Sequence, residues 1–160
     1  MPTVKLKLNT KSIDAAIRAV EKYRRKVDDA GERMVREMVD YGVKKAKEAA
    51  MYMDAYDSGE LVNGIVGEQV ETLGSVVSTA PHSAFVEFGT GVRGMGSQHP
   101  DPNLANWKYD VNEHGEAGWW YWGDDGRWHW TAGMPSRPYM YDTAKAMKES
   151  VVQIAKDVMK

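Results

Sequence analysis

The side chains best suited to chemistry are four histidines and several carboxylates in the second half of the chain. They are His82, His99, His114 and His129, with Glu87, Asp101, Asp110, Glu113 and Asp124. Zinc and calcium sites use short fixed spacings, such as His-Glu-x-x-His or a compact Asp-rich loop. No such spacing occurs here, and every histidine lies in a different segment. The pattern predicts solvated loop histidines and no metal centre.

Motifs for nucleophilic catalysis and phosphate binding are also missing from the sequence. The absence of cysteine excludes thiol catalysis, disulfides and Cys-ligated metals. Gly-x-Ser-x-Gly does not occur, and the glycine-rich stretch 89–96 matches no complete Walker sequence. A glycosidase-type carboxylate pair stays open, because its separation in space defines it. We therefore predict no catalytic residue and no cofactor.

The tryptophans form the most conspicuous cluster, since all six lie between residues 107 and 130. Two aromatic runs flank Gly-Asp-Asp-Gly, which predicts a β-hairpin with Trp120 and Trp122 on the same face as Trp128 and Trp130. Such a face could be a small satellite core or a protein interface. Binding of sugars or bases is a weaker alternative, because only Lys108 and Arg127 are basic between 94 and 136.

Composition limits the class of protein further. The chain has 160 residues, a formal charge of -2 and 42% hydrophobic residues, which fits a folded domain and not a disordered chain. The near-neutral charge argues against a dedicated nucleic-acid binder. The sequence contains no run of about 18 apolar residues and no signal-peptide core, so we expect no membrane span. We predict one domain, 1–160, with an insertion at about 92–132.

The elements that must position these residues begin with a short strand, 4–8, and a long helix, 12–53. Apolar residues recur every seven positions along this helix: Ile13, Val20, Val27, Met34 and Tyr41. A continuous helix of this length would measure roughly 60 Å, while a chain of this size has a diameter of about 40 Å. The helix must therefore break near 28–31, or project and find a partner on another subunit.

The rest of the chain alternates turns and short apolar runs. We predict a turn at 57–60, two strands joined through 71–75, a third strand at 84–88, a long loop at 92–118 and a helix from Pro138 to the C-terminus. A buried Glu87 would need a donor such as Arg93, Arg137 or a backbone N–H. The predicted fold class is α+β, with the two helices packed on a small, mostly antiparallel sheet and an inserted Trp-rich hairpin.

Three segments in this order, 57–65, 84–91 and 133–140, resemble tailed-bacteriophage morphogenesis proteins of the neck and tail-completion class. The family pattern combines an Asp-Thr-Gly-x-Leu turn, Val-Glu-Phe-Gly-Thr and a Pro-Phe before the last helix. Ser58 stands here for the Thr and Tyr139 for the Phe. The matching residues are Ser58, Gly59, Leu61, Glu87, Phe88, Gly89, Thr90, Gly91, Pro138 and Tyr139.

The resemblance implies a non-enzymatic virion protein that is assembled in the host bacterial cytoplasm. It would form a homo-oligomeric ring at the head–tail junction or at the top of the tail. Its implied partners are other copies of itself, the head connector, and tail-tube or tail-terminator proteins. It would have no membrane partner and no specific nucleic-acid recognition, although DNA could pass through the ring.

Candidate interface residues follow from the helix and the hairpin. They are Tyr41, Arg24, Trp120, Trp122, Trp128 and Trp130. The basic run 22–26 around Arg24 precedes Asp28, Asp29 and Glu32, so a solvated face is expected, with charge pairing between subunits as the alternative. The competing function is a saccharide- or nucleotide-binding or hydrolytic domain that uses the Trp-rich hairpin.

Overall fold

The computed structural model describes residues 9–53, 59–104, 107–110, 113–114 and 117–160. The predicted strand 4–8 and residues 57–58 of the predicted turn, including Ser58, lie outside these ranges. The elements in chain order are α1 (Thr10–Tyr52), α2 (Glu60–Asn63), β1 (Ile65–Val70), β2 (Leu73–Ser78), α3 (Ser83–Phe88), α4 (Gly91–Gly96), a 3-10 turn (Pro102–Leu104), β3 (Trp119–Trp122), β4 (Trp128–Thr131) and α5 (Tyr139–Met159). The α+β class is confirmed, whereas the single-domain organisation with an insertion stays a prediction.

Helix α1 is one continuous helix of 43 residues, so of the two alternatives that its length left open, the break near 28–31 does not occur. It begins at Thr10, two residues before the predicted start, because the Oδ1 of Asn9 accepts the backbone N–H of Ser12 at 2.9 Å and caps the helix. At about 1.5 Å per residue the helix is roughly 65 Å long. No described helix has the length and apolar character needed to cross a membrane.

Helix α5 packs antiparallel along the second half of α1. Gly42 of α1 lies beside Met147 in the middle of α5, and Arg33 donates a hydrogen bond of 3.2 Å to the backbone oxygen of Val158 near its end. Residues 10–29 of α1 precede this contact and extend past the end of α5. The first buried residue of α1 is Ala30.

The β1–β2 hairpin packs on the same part of α1. Its strands pair antiparallel from Ile65↔Ser78 to Val70↔Leu73. Gly67 and Gly74 face Val39 so closely that a Cβ at either position would overlap the valine side chain. The predicted connection 71–75 is too long, because only Glu71 and Thr72 form the turn and β2 begins at Leu73.

The predicted third strand, 84–88, is wrong, because these residues form helix α3. A short apolar run with flanking glycines is compatible with either structure, and local sequence does not distinguish them. The chain therefore has two separate two-stranded antiparallel sheets, β1–β2 and β3–β4, among the described residues. The expected loop 92–118 also contains ordered turns, since most of α4 and the turn Pro102–Leu104 lie within it.

The core lies where α1, α2, β1, α3 and the start of α5 meet. Its buried residues are small or aliphatic apart from one tyrosine: Ala46, Ala50, Leu61, Val62, Ile65, Ala80, Val86 and Tyr139. Alanines on α1 allow the neighbouring elements to approach the helix backbone closely.

Candidate subunit interfaces and the Glu87 junction

Glu87 joins helix α3 to the beginning of helix α5. Its Oε2 accepts the backbone N–H of Met140 and its Oε1 accepts the backbone N–H of Tyr141, both at 2.9 Å. The first N–H groups of a helix have no partner within the helix and carry partial positive charge. Pro138 precedes this helix and forms no side-chain cap in the described structure, so the carboxylate of Glu87 takes that role. Of the donors that the sequence left open, the backbone N–H is the one used.

His99 is a second partner of Glu87 that the sequence did not indicate. Its Nε2 lies 3.1 Å from Oε1 of Glu87, and both side chains are less than 10% exposed. The Nδ1 of His99 accepts the backbone N–H of Asp101 at 3.1 Å, so Nε2 carries the proton and donates it to the carboxylate. This pair resembles a catalytic dyad in composition, but its hydrogen bonds are used to hold the chain together.

Aromatic rings enclose the histidine. Phe88 and Tyr141 contact the imidazole edge to face, with centroid distances of 5.1 and 5.2 Å. Trp107 packs against Phe88 at 4.8 Å, and its Nε1 donates to the backbone oxygen of Gly89 at 2.9 Å. Trp107 is therefore part of this packing and is separate from the exposed hairpin tryptophans.

The second and third family segments bind each other through their backbones. Thr90 and Met134 exchange two hydrogen bonds, N–H to O, of 2.9 and 3.1 Å. Arg137 donates its N–H to the backbone oxygen of Val86 at 2.9 Å. Gly89 has φ +80° and ψ 167°, a conformation that is essentially restricted to glycine, and a Cβ there would lie 2.7 Å from the backbone nitrogen of Ser136. Gly89 therefore permits the close approach of the two segments.

The first family segment reaches the same region. Gly59 adopts the left-handed conformation at the start of α2, and Leu61 is buried in the core with Tyr139. Tyr139 is fully buried, and this burial raises the pKa of its phenol. Its hydroxyl lies near Ser78 and Ser83 but makes no hydrogen bond of acceptable geometry among the described residues. The described residues of the three segments thus surround the start of α5.

The hairpin β3–β4 has the predicted pairing and the predicted faces. Trp120 pairs with Trp130 and Trp122 with Trp128, with edge-to-face centroid distances of 5.6 and 5.4 Å. Tyr121 stacks on His129 on the opposite face, at 5.6 Å. The four paired tryptophans, here called the aromatic face, are each 53–63% exposed. They do not form a satellite core among the described residues.

A second exposed apolar surface lies on the first half of α1. We call residues 10–29 the arm, because they precede the first buried residue, Ala30, and extend beyond both the β1–β2 hairpin and α5. Its apolar residues are 41–61% exposed: Ile13, Ile17, Val20, Tyr23 and Val27. By helical periodicity Arg24 belongs to the same row, and its Nε lies 3.8 Å from Asp28.

The predicted interface residue Tyr41 lies outside both surfaces. It lies in the second half of α1, which packs on the rest of the protein, and it is partly buried. The Nζ of Lys45 lies 5.9 Å from the centre of its ring. The six predicted interface residues therefore fall in three places, namely the arm, the second half of α1 and the hairpin. Whether any of them contacts another subunit stays a prediction.

The histidines and carboxylates remain in separate pairs. His129 contacts Asp125 at 2.9 Å and His82 lies 3.7 Å from Glu60, in addition to the His99–Glu87 pair. Within the described ranges no three such side chains are grouped as a metal ion would require. The described geometry thus offers isolated histidine–carboxylate pairs and two exposed apolar surfaces.

Comparison with known families finds a match over the first part of the chain. Residues 14–89 match the HK97-gp10-like family, whose description is "Bacteriophage HK97-gp10, putative tail-component". The matched range runs from the arm through α3 to Gly89, and it includes the first family segment and residues 84–89 of the second. The match confirms the resemblance to phage tail-completion proteins and indicates a tail-related structural component. No curated protein and no solved structure gives a match.

Proposed function

We propose that this protein is a non-enzymatic virion subunit of a tailed phage or prophage. It forms a homo-oligomeric ring at the head–tail junction or at the upper end of the tail, and it helps to join the tail to the capsid. The proposal extends the family match, which concerns a tail component, to a position and an assembly state. Copies of the same chain, the head connector and tail-tube or tail-terminator proteins are its proposed partners.

The observation that carries the proposal is the presence of two exposed apolar surfaces on one chain. Large contiguous apolar patches on a folded protein generally mark interaction sites. Aromatic residues with a neighbouring arginine are also the preferred anchors of protein interfaces. A subunit that joins other proteins needs more than one such surface, because each copy must contact at least two neighbours.

The Glu87–His99 pair supports a structural role rather than catalysis. Both side chains are buried, and their polar atoms bind the first turn of α5 and the backbone of Asp101. A general acid or base must reach the proton that it transfers. This pair instead positions the start of α5.

Removal of the gene from its phage or prophage tests the function, with electron microscopy of the particles as the readout. We expect full heads and separate tails that are not joined, and restoration of joined virions when the wild-type protein is supplied from a plasmid. Normal, infectious virions without the protein would refute the proposal. A plasmid-borne Glu48→Gln variant, changed at an exposed carboxylate, serves as a neutral control.

A further inference from the structure

The aromatic face has the size of one side of a small protein interface. A tryptophan side chain buries up to about 250 Å² in contacts, so four indoles that are each 53–63% exposed present roughly 500–600 Å². A standard interface buries about 800 Å² per partner. The four indoles therefore supply most of the area that a stable contact needs, and they lie together on one side of a two-stranded sheet.

The arm presents the second surface, and its shape suits a flat partner. Apolar residues at spacings of three and four form a single row from Ile13 to Val27. Most of the stability of a helix in a protein comes from packing of its apolar face, so a partner that covers this row would stabilise the arm. Between Ile17 and Val27 the row is about 15 Å long, while a four-residue strand is about 13 Å long.

Charges on the arm disfavour pairing of one arm with another. Asp14, Glu21 and Asp28 recur every seven residues along one flank of the apolar row. Antiparallel pairing about a two-fold axis would bring these two acidic flanks together, whereas parallel pairing would place Arg24 against Arg24 in the interface. Juxtaposed like charges are unfavourable, and they become more so when buried.

The aromatic face lacks these conflicts and offers complementary chemistry. Arg24 lies within the row, and a guanidinium over an indole ring is a favourable cation–π pair. The arm carries six basic and four acidic residues between 10 and 29, while the hairpin turn carries Asp124 and Asp125 beside Arg127. A basic arm and an acidic turn attract each other.

We propose that the arm of one subunit binds the aromatic face of the next subunit. This inference rests on the homo-oligomer of the proposed function and names its contact. Two different surfaces of one chain then meet, so the contact is heterologous and propagates from subunit to subunit, which closes a ring when the rotation allows it. The apolar row would lie across the four indoles, with Arg24 over a ring.

A complementation experiment with two full-length variants tests this contact. The arm variant is Val20→Glu, and its control is Ala15→Glu on the opposite side of the same helix. The hairpin variant combines Trp122→Thr and Trp128→Thr, which keeps strand propensity, and its control combines Tyr121→Thr and His129→Thr on the opposite face. Circular dichroism verifies folding, and sedimentation velocity measures the oligomers.

We expect each interface variant alone to self-associate at least tenfold more weakly than its control. Mixing the two interface variants should restore one contact per pair and give a 1:1 heterodimer that does not grow further. A mixture that stays monomeric up to about 100 μM would overturn the inference, as would a hairpin variant that assembles like the wild type.

Crosslinking supplies a measurement that does not depend on loss of binding. Because the chain has no cysteine, Ala16→Cys on the arm and Asp124→Cys at the hairpin turn each introduce one thiol. A short bismaleimide should join the two variants to each other. Crosslinking of Ala16→Cys only with itself would overturn this contact but leave the ring proposal intact. Conversely, normal virions in the absence of the gene would refute the ring proposal, while the contact could still be measured with the purified protein.

Discussion

The Glu87 carboxylate should be the most consequential single polar side chain for stability. Two backbone N–H groups of α5 and the Nε2 of His99 donate to it, at 2.9, 2.9 and 3.1 Å. Replacement by alanine leaves these three donors without their acceptor in a region that is closed to solvent. The change also removes the negative charge from the N-terminal end of the α5 dipole.

The expected cost of Glu87→Ala is about 3–5 kcal/mol in the free energy of unfolding. Each buried donor left unsatisfied costs roughly 1–3 kcal/mol, and the contributions of three neighbouring donors are not fully additive. Glu87→Gln retains the shape and one acceptor oxygen, so we expect about half of that cost. For a protein of this length, 1 kcal/mol corresponds to about 2–4 °C in melting temperature. The alanine variant should therefore melt about 10 °C lower.

Urea denaturation followed by circular dichroism measures this cost, with the wild type and Glu48→Gln as references. Glu48 is also a carboxylate paired with a cation, Lys45, but this pair lies at the surface and its loss should hardly change the free energy of unfolding. A cost for Glu87→Ala similar to that of Glu48→Gln would refute the argument that this carboxylate caps α5. An unchanged m-value would show that the same surface is exposed on unfolding.

Two further changes test the packing around α5. Because the Tyr139 hydroxyl makes no hydrogen bond among the described residues, Tyr139→Phe should change the free energy of unfolding by less than about 1 kcal/mol at pH 7. Burial raises the pKa of the Tyr139 phenol, so the unfolded chain ionises first and the wild type loses stability as the pH rises above the ordinary pKa of 10.0. Urea titrations at alkaline pH should therefore show a smaller loss of stability for the Phe variant. An equal loss for the two proteins would contradict this. Gly89→Ala should cost about 3 kcal/mol because of its backbone conformation, whereas Gly96→Ala, with no atom within 4 Å of the added Cβ, should be nearly neutral by the same denaturation assay. Equal costs for the two glycines would refute the argument.

The hairpin β3–β4 shows why some elements could be predicted from sequence. Alternating aromatic residues and the Gly-Asp-Asp-Gly turn act within 13 consecutive residues, so local preferences determine the pairing of Trp120 with Trp130. The long helix was predictable for the same reason, since its seven-residue spacing needs no distant contact. Its continuity through Gly31 was not predictable, because chain length limits the size of a compact body but not the reach of a projecting arm.

Glu87 shows where sequence reasoning was insufficient. The sequence predicts a strand for its segment, but a run of six residues with both aromatic and small side chains carries too little periodicity to separate strand from helix. The donors of Glu87 come from His99 and from residues 140–141, which are 12, 53 and 54 positions away. No local pattern could identify these partners. The resemblance to a phage family nevertheless included Glu87 among the residues that match the family pattern.

The sequence by itself determined the α+β class, the long helix, the aromatic hairpin with its two faces and the three family segments. These features depend on neighbouring residues and on periodicity, which act along the chain. Only the tertiary structure decided that the described residues of the three segments converge on the start of α5, that His99 shares the carboxylate of Glu87, and that the arm and the aromatic face are left exposed. Those outcomes depend on which distant surfaces are buried against each other, and the exclusion of water from a surface is a property of the packed molecule.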